Sequence, residues 1–255
     1  MARILVTNDD GVFSEGIKLL ASSLAEIADV VVVAPDREQS ATGHSLTLHR
    51  PLRMQQLDTN VYSVDGTPTD CVNLGVLWLL KDSPPDLVVS GVNFGVNMGD
   101  DVTYSGTVSA TFEGTLLGIP SVAFSQEVGE EFSFSNAVSF ARRFVEVLLE
   151  EDLPEDLLLN VNIPAGPIRG VRFTRLGKRR YQQVVVEKQD PRGKNYFWIA
   201  GTPQWEEEEG TDHAAVSSGR VSITPLHLDL TDYRGLDGHP DLHRRLNGLG
   251  EGLQE

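Results

Sequence analysis

The sequence predicts an α/β fold built on a doubly wound, mostly parallel sheet. Three observations predict it. Short, nearly continuous apolar runs rich in Val and Ile recur through the first half, as expected of strands buried on both faces. Patterns of helical spacing lie between them. Polar residues gather directly behind the runs, where such a sheet has its ligand crevice.

Residues 3–7 (RILVT) form the first run. Ile17, Leu20, Leu24 and Ile27 then repeat at three and four residues, which predicts a helix. Residues 30–34 (VVVVA) are the second run. Residues 71–80 are apolar enough for a buried helix, with Thr69 or Asp70 near its start. Residues 86–90 (DLVVS) are the third run. A helix over 107–117 follows Ser105, a suitable N-cap. Residues 121–124 (SVAF) are the fourth run, and a helix over 136–150 places Val138, Ala141, Val145 and Leu148 on one face. Strand and helix in alternation indicate a doubly wound sheet.

The second half changes character. Residues 157–163 (LLLNVNI) predict another strand. Residues 171–176, 182–188 and 196–200 predict strands joined by turns, the last two around Asp190-Pro191-Arg192-Gly193. Residues 221–224 are a further short strand. Residues 206–209 are an acidic run read as a solvated loop. From Arg234 onward the chain is Gly-rich, polar and weakly periodic. No linker and no internal repeat is visible. A single domain over 1–255 is expected, with a core of about 1–165 and a C-terminal part of about 166–255.

Composition narrows the function. The 255 residues carry 21 Lys plus Arg against 37 Asp plus Glu, a formal net charge of −16. Such a chain is a poor partner for DNA, RNA or an anionic membrane, which reward clustered cations. The lone cysteine, Cys71, excludes an internal disulfide and any Cys-cluster zinc site. Its apolar surroundings assign it to the core. No basic segment leads into a long apolar one, and no window suits a membrane span. A soluble, cytoplasmic enzyme or ligand binder is expected.

The candidate chemistry lies at the strand ends. Asp9 and Asp10 follow the first run, where Gly11 lets the backbone turn and both carboxylates face one centre. Two carboxylates so close repel unless a proton or cation lies between them. A hard divalent ion, Mg²⁺ or Mn²⁺, suits oxygen ligands. A plain strand-to-helix turn, its acids favouring the helix start, accounts for the same residues. Ser40 and Asn93 offer further oxygens behind the second and third runs, or serve as cap and turn residues.

Residues 93–114 (NFGVNMGDDVTYSGTVSATFEG) are the most informative segment. Ser105-Gly106-Thr107 opens a helix whose free N–H groups can bind phosphate without Lys or Arg. That reconciles an anion site with so acidic a chain. A glycine-rich loop capped by Ser105 and Thr107 is the simpler alternative. The segment is neither a P-loop nor a dinucleotide fingerprint. There is no Asp-x-Asp, no G-x-S-x-G elbow and no H-E-x-x-H. His44 lies near Ser40 and is read as a surface or packing residue. His227 is read as structural.

The segments Ile4-Leu5-Val6-Thr7-Asn8-Asp9-Asp10-Gly11, Ala34-Pro35-Asp36-Arg37 with Ser40, Gly66-Thr67-Pro68-Thr69-Asp70-Cys71, Ser90-Gly91-Val92-Asn93 and Asp101-Val102-Thr103-Tyr104-Ser105-Gly106-Thr107-Val108 resemble the survival protein SurE family of metal-dependent nucleotidases. Supporting matches are Gln189-Asp190-Pro191-Arg192-Gly193, Gly210-Thr211-Asp212 and Ser222-Ile223-Thr224-Pro225-Leu226. The resemblance runs from residue 3 to about 232. It implies that Asp9, Asp10, Ser40 and Asn93 are metal ligands, and that Asn97, Ser105, Gly106 and Thr107 line a phosphate site. It implies a Rossmann-like fold whose C-terminal hairpin and tail join subunits into a homodimer or homotetramer. The implied activity is that of a metal-dependent phosphomonoesterase acting on 5′- or 3′-nucleoside monophosphates. In it the ion activates water, with Asp9, Asn97 and Ser105 as the catalytic candidates. The rival expectations are a non-catalytic nucleotide sensor using the same crevice, and an oligomeric scaffold with a vestigial site.

Overall fold

The apolar runs become the middle of a nine-stranded sheet. The computed structural model describes residues 1–181, 184–200, 203–247 and 249. In chain order the first half contains β1 (Arg3–Thr7), α1 (Glu15–Leu24), β2 (Asp29–Pro35), β3 (Met54–Asp58), β4 (Val61–Val64), α2 (Pro68–Leu74), β5 (Leu87–Phe94), α3 (Gly106–Leu116), β6 (Ser121–Gln126), α4 (Ser135–Leu149) and β7 (Leu158–Ile163). A π-helical turn, Gly75–Leu79, extends α2, and a 3₁₀ turn, Gly99–Thr103, precedes α3. The second half contains β8 (Val171–Phe173), β9 (Arg179–Tyr181), β10 (Val184–Gln189), β11 (Asn195–Ala200), β12 (Pro203–Trp205), α5 (Asp212–Ser217), β13 (Val221–Pro225), α6 (Tyr233–Gly238) and α7 (Pro240–Asn247).

The sheet order is β3-β4-β2-β1-β5-β6-β7-β13-β8. The six strands from β4 to β7 pair in parallel, as the buried runs predict. From β1 the chain winds first toward β2 and β4, then returns to place β5 on the other side of β1. A doubly wound sheet opens its ligand crevice at such a reversal, outside the carboxyl ends of the strands. Here that point lies behind β1 and β5, where the two aspartates and Asn93 stand.

Period-two alternation divides the core. Ile4 and Val6 of β1 face α1 and α4 in one apolar cluster. Leu5 faces the opposite way, into a cluster with Val31, Val33, Cys71 and Ala110 from the α2 and α3 side. Cys71 is fully buried there, and its thiol is pushed up by desolvation. It is a core residue, as the sequence indicates.

Several elements differ from expectation. β3 and β4 were not anticipated: β3 (MQQLD) is almost wholly exposed and pairs only with β4, antiparallel, at the sheet edge. The buried helix begins at Pro68 rather than Cys71. Thr67 is its cap, and Asp70 completes a reciprocal capping box with it. Strand β8 ends at Phe173, short of residue 176. The hairpin β10–β11 is present, while residues 182 and 183 of the expected strand lie outside the described residues. The tail from residue 233 holds two short helices instead of irregular chain. α7 carries Asp241 in its first turn and Arg244 and Arg245 in its last, which suits the helix dipole. Among the described residues no helix is long and apolar enough to cross a membrane.

Candidate active site

Asp9 is buried, 5% exposed, at the end of β1. Gly11 turns the chain behind it at φ +93°, a conformation that costs glycine little. The preceding Asn8 braces this turn: its Nδ2 donates to the Gly11 carbonyl at 3.1 Å and to Ser14 Oγ at 2.8 Å. The Asp-Asp pair is therefore fixed by its own strand and turn.

The start of α3 closes on Asp9. Thr107 Oγ1 donates to Asp9 Oδ1, and the Thr107 main-chain N–H also bonds Asp9. A Cβ added at Gly106 would lie 2.7 Å from the Asp9 Cβ and 2.9 Å from Oδ2. Glycine is thus required by close approach. The cap of α3 is Ser105, whose Oγ accepts from Val108 N at 3.1 Å, as its position in the sequence suggests. Substituting Gly106 by Ala is expected to lower kcat about 10²-fold, because the new methyl must displace the Asp9 carboxylate. The atom nearest that methyl is the Asp9 Cβ, fixed to β1, so the thermal midpoint falls as well. Matched steady-state kinetics and thermal melts check this; an undiminished kcat would show that Asp9 need not stay where it is.

The other two strand ends meet the aspartates through main-chain bonds. Gln39 N–H donates to the Asp9 carbonyl at 2.7 Å, which brings the Glu38–Ser40 loop alongside. Phe94 N–H donates to Asp10 Oδ2 at 3.4 Å, which brings Asn93 alongside. Asn93 Nδ2 donates to the Gly95 carbonyl at 2.8 Å. Ser40 is exposed, and its hydroxyl donates to Glu38 Oε1 at 2.7 Å.

The electrostatics are those of crowded acid. Burial pushes the Asp9 carboxyl above its ordinary value, against the lowering effect of the Thr107 hydroxyl; Glu38 adds to the rise. Burial and then the charge of Asp9 push Asp10 up to about 6, with Phe94 N–H pulling the other way. Among the described residues no group of three or more His, Cys, Asp or Glu forms a metal cage. The candidate ion site is two carboxylates with neutral oxygens nearby. An all-oxygen donor set whose carboxylates repel each other fits a hard divalent cation.

Asn97 stands on the β6–β7 side of the crevice. Its Nδ2 donates to Ser125 Oγ at 2.8 Å and its N–H to Asn162 Oδ1 at 2.8 Å. Its carbonyl accepts from Asn160 and Asn162 Nδ2 at 2.8 and 3.0 Å. Two residues on, Gly99 N–H donates to Asp212 Oδ2 at 2.8 Å. Asp212 is fully buried, and its Oδ1 accepts from Gly177 N–H. The loop from β5 to α3 is thus held from the far half of the chain. Asn160 and Asn162 lie two apart in an otherwise apolar strand, hence on one face; that spacing was the available signal. Asp212 had none. His44 is more than a surface residue: its Nε2 lies 2.7 Å from Oε2 of the buried Glu113 on α3, whose Oε1 accepts from Asn73. This joins the Ser40 loop to the helix that carries Thr107.

The family model described as survival protein SurE matches residues 4–183. The chain belongs to the SurE family. The 5′-nucleotidase SurE of Syntrophotalea carbinolica is 56% identical over 238 residues, covering 92% of this chain and 94% of that protein. The 5′-nucleotidase SurE 1 of Thermus thermophilus is 51% identical over 258 residues, covering 98% and 99%. A crystal structure of the SurE protein from Aquifex aeolicus superposes with a TM-score of 0.84 at 48% identity, covering 94% of this chain and 99% of that one. The SurE likeness therefore extends into the C-terminal half, beyond the residues the family model matches.

Proposed function

We propose that this chain is a phosphohydrolase of nucleoside 5′-monophosphates that requires a divalent cation. The observation that carries the proposal is the contact between the Asp9 carboxylate and the first turn of α3, through Thr107 and Gly106. It joins an acidic ion site to a helix start suited to phosphate. The names of the SurE relatives support the same substrate class.

Asp9 and Asp10 would hold the cation, Mg²⁺ or Mn²⁺, with Ser40 and Asn93 completing the protein ligands. When bound, it supplies Lewis-acid polarisation of the phosphoryl oxygens and lowers the pKa of water. The chain's own residues do the rest. Gly106 and Ser105 offer the helix start to the phosphate, and Thr107 locks that start to Asp9, so that ion and ester share one frame. Asn97, immobilised by Ser125, Asn160 and Asn162, faces the charge that grows in the transition state. Asp9 assists the attacking water. The chain is read as a single domain that works as a cytoplasmic homodimer or homotetramer. The β10–β11 hairpin supports this assembly, since Val185, Phe197, Trp198 and Ile199 are all more than half exposed on it.

The test is phosphate release from a panel of 5′- and 3′-nucleoside monophosphates, first with chelator and then with Mg²⁺ or Mn²⁺. Release that appears only with metal, led by the 5′ esters, is the expected result. No release from any ester under either metal would overturn the proposal and favour the nucleotide sensor.

A further inference from the structure

We propose that the ring of Phe94 is the platform on which the nucleobase of the substrate stacks. This rests on the nucleotidase reading above and adds to it the part of the site that tells a nucleotide from a bare sugar phosphate.

Phe94 ends a strand whose residues Leu87–Val92 are all buried, yet it is 54% exposed. Its main-chain N–H is bound to Asp10 Oδ2, and it directly follows the candidate ligand Asn93. The main chain that carries the exposed ring therefore borders the acidic centre. The ring is also held firmly. The Phe132 ring meets it edge-on with centroids 4.6 Å apart, and Phe134 meets Phe132 in the same way at 4.7 Å. Phe134 is 6% exposed and belongs to the core. A row of three rings thus runs outward from the hydrophobic core, and the last, Phe94, is the most exposed of them.

An apolar ring held so firmly beside carboxylates suits one part of a nucleotide only. Phosphate is repelled by Asp9, Asp10 and Glu38 unless a cation intervenes, and ribose has no flat face. A base is planar, nearly uncharged and large enough to cover a phenyl ring. Stacking of a base on an aromatic side chain tolerates every base, because each has a π face. The platform thus predicts broad base acceptance, with purines ahead of pyrimidines by overlap area.

The experiment compares adenosine 5′-monophosphate with ribose 5-phosphate as substrates of the full chain, wild type and Phe94→Ala, Phe94→Leu and Phe94→Trp. The expected result is a rise of about tenfold in KM for the nucleotide in Phe94→Ala, in keeping with the usual strength of base–aromatic stacking, with kcat within twofold. The nucleotide-to-sugar-phosphate ratio of kcat/KM falls by a similar factor. Phe94→Leu keeps the apolar bulk without the flat face and behaves like Phe94→Ala. Phe94→Trp restores the ratio. An unchanged ratio in Phe94→Ala, or full restoration by Phe94→Leu, overturns the stacking platform. Absence of phosphate release from any nucleotide by the wild type instead overturns the nucleotidase reading. Calorimetric binding of adenosine 5′-monophosphate then decides the platform: equal affinity of wild type and Phe94→Ala refutes it.

Discussion

Replacing Asp9 by Asn is expected to lower kcat for nucleotide hydrolysis by three orders of magnitude or more, at saturating Mg²⁺ or Mn²⁺. Asn keeps an oxygen where Oδ1 accepts from Thr107, so the docking of α3 survives and only the charge is lost. That charge is asked to hold the cation and to assist the attacking water, and a factor of 10³ corresponds to about 4 kcal/mol of transition-state stabilisation. Circular dichroism and the thermal midpoint should stay close to the parent values while phosphate release disappears. A variant with near-parental turnover would sink the mechanism, because among the described residues no other is both buried at the end of β1 and bonded to the start of α3.

Replacing Asp10 by Asn is expected to do two opposite things. In the metal-free protein it stabilises. The folded-state carboxyl is pushed up to about 6 from an ordinary value of 3.8, so between about pH 4 and pH 6 the folded chain binds more protons than the unfolded one. Stability therefore falls as pH rises through that window, and the loss is complete above it. Asp10 is partly exposed, and solvent screening reduces the penalty at pH 7 to on the order of 1–2 kcal/mol. Asn removes it. The midpoint of the metal-free variant should rise by roughly 2–6 °C over the parent at pH 7, with no advantage below pH 4. In the presence of Mg²⁺ or Mn²⁺ the ranking reverses, because the parent gains binding energy that the variant lacks. Cation binding to the parent should also release protons near pH 6. Melts at pH 4 and pH 7, with chelator and with metal, measure all of this. A metal-free variant that melts below the parent at pH 7 would show that the acidic pair is not a strained one.

The sequence made the centre of the sheet legible because those strands are buried on both faces, and burial writes itself as unbroken Val and Ile. It missed β3 for the complementary reason: Met54–Asp58 is a solvated edge, and an exposed strand needs no apolar alternation. Asp9, Asp10 and Ser105 could be singled out because each sits at the junction of two local patterns. Glu38 does not stand out in the sequence, although its charge bears on both aspartates; nothing in its neighbours marks it as different from any loop acid. In the sequence Phe94 reads only as part of a glycine-rich loop. Its importance depends on Phe132, 38 positions later, and no local spacing shows that. The same is true of His44 with Glu113, and of every bond that Asp212 makes.

Gly99 is tied to a carboxylate 113 residues further along the chain, and Asn97 to a strand more than 60 residues further along. During synthesis the N-terminal strands leave the ribosome first, and both aspartates emerge long before their partners. Until Asp212 has followed, the loop between β5 and α3 lacks its tie at Gly99, although Asn97 can already be held through Ser125, Asn160 and Asn162. A growing chain therefore displays its acidic pair well before the loop that faces it is tied at both Asn97 and Gly99.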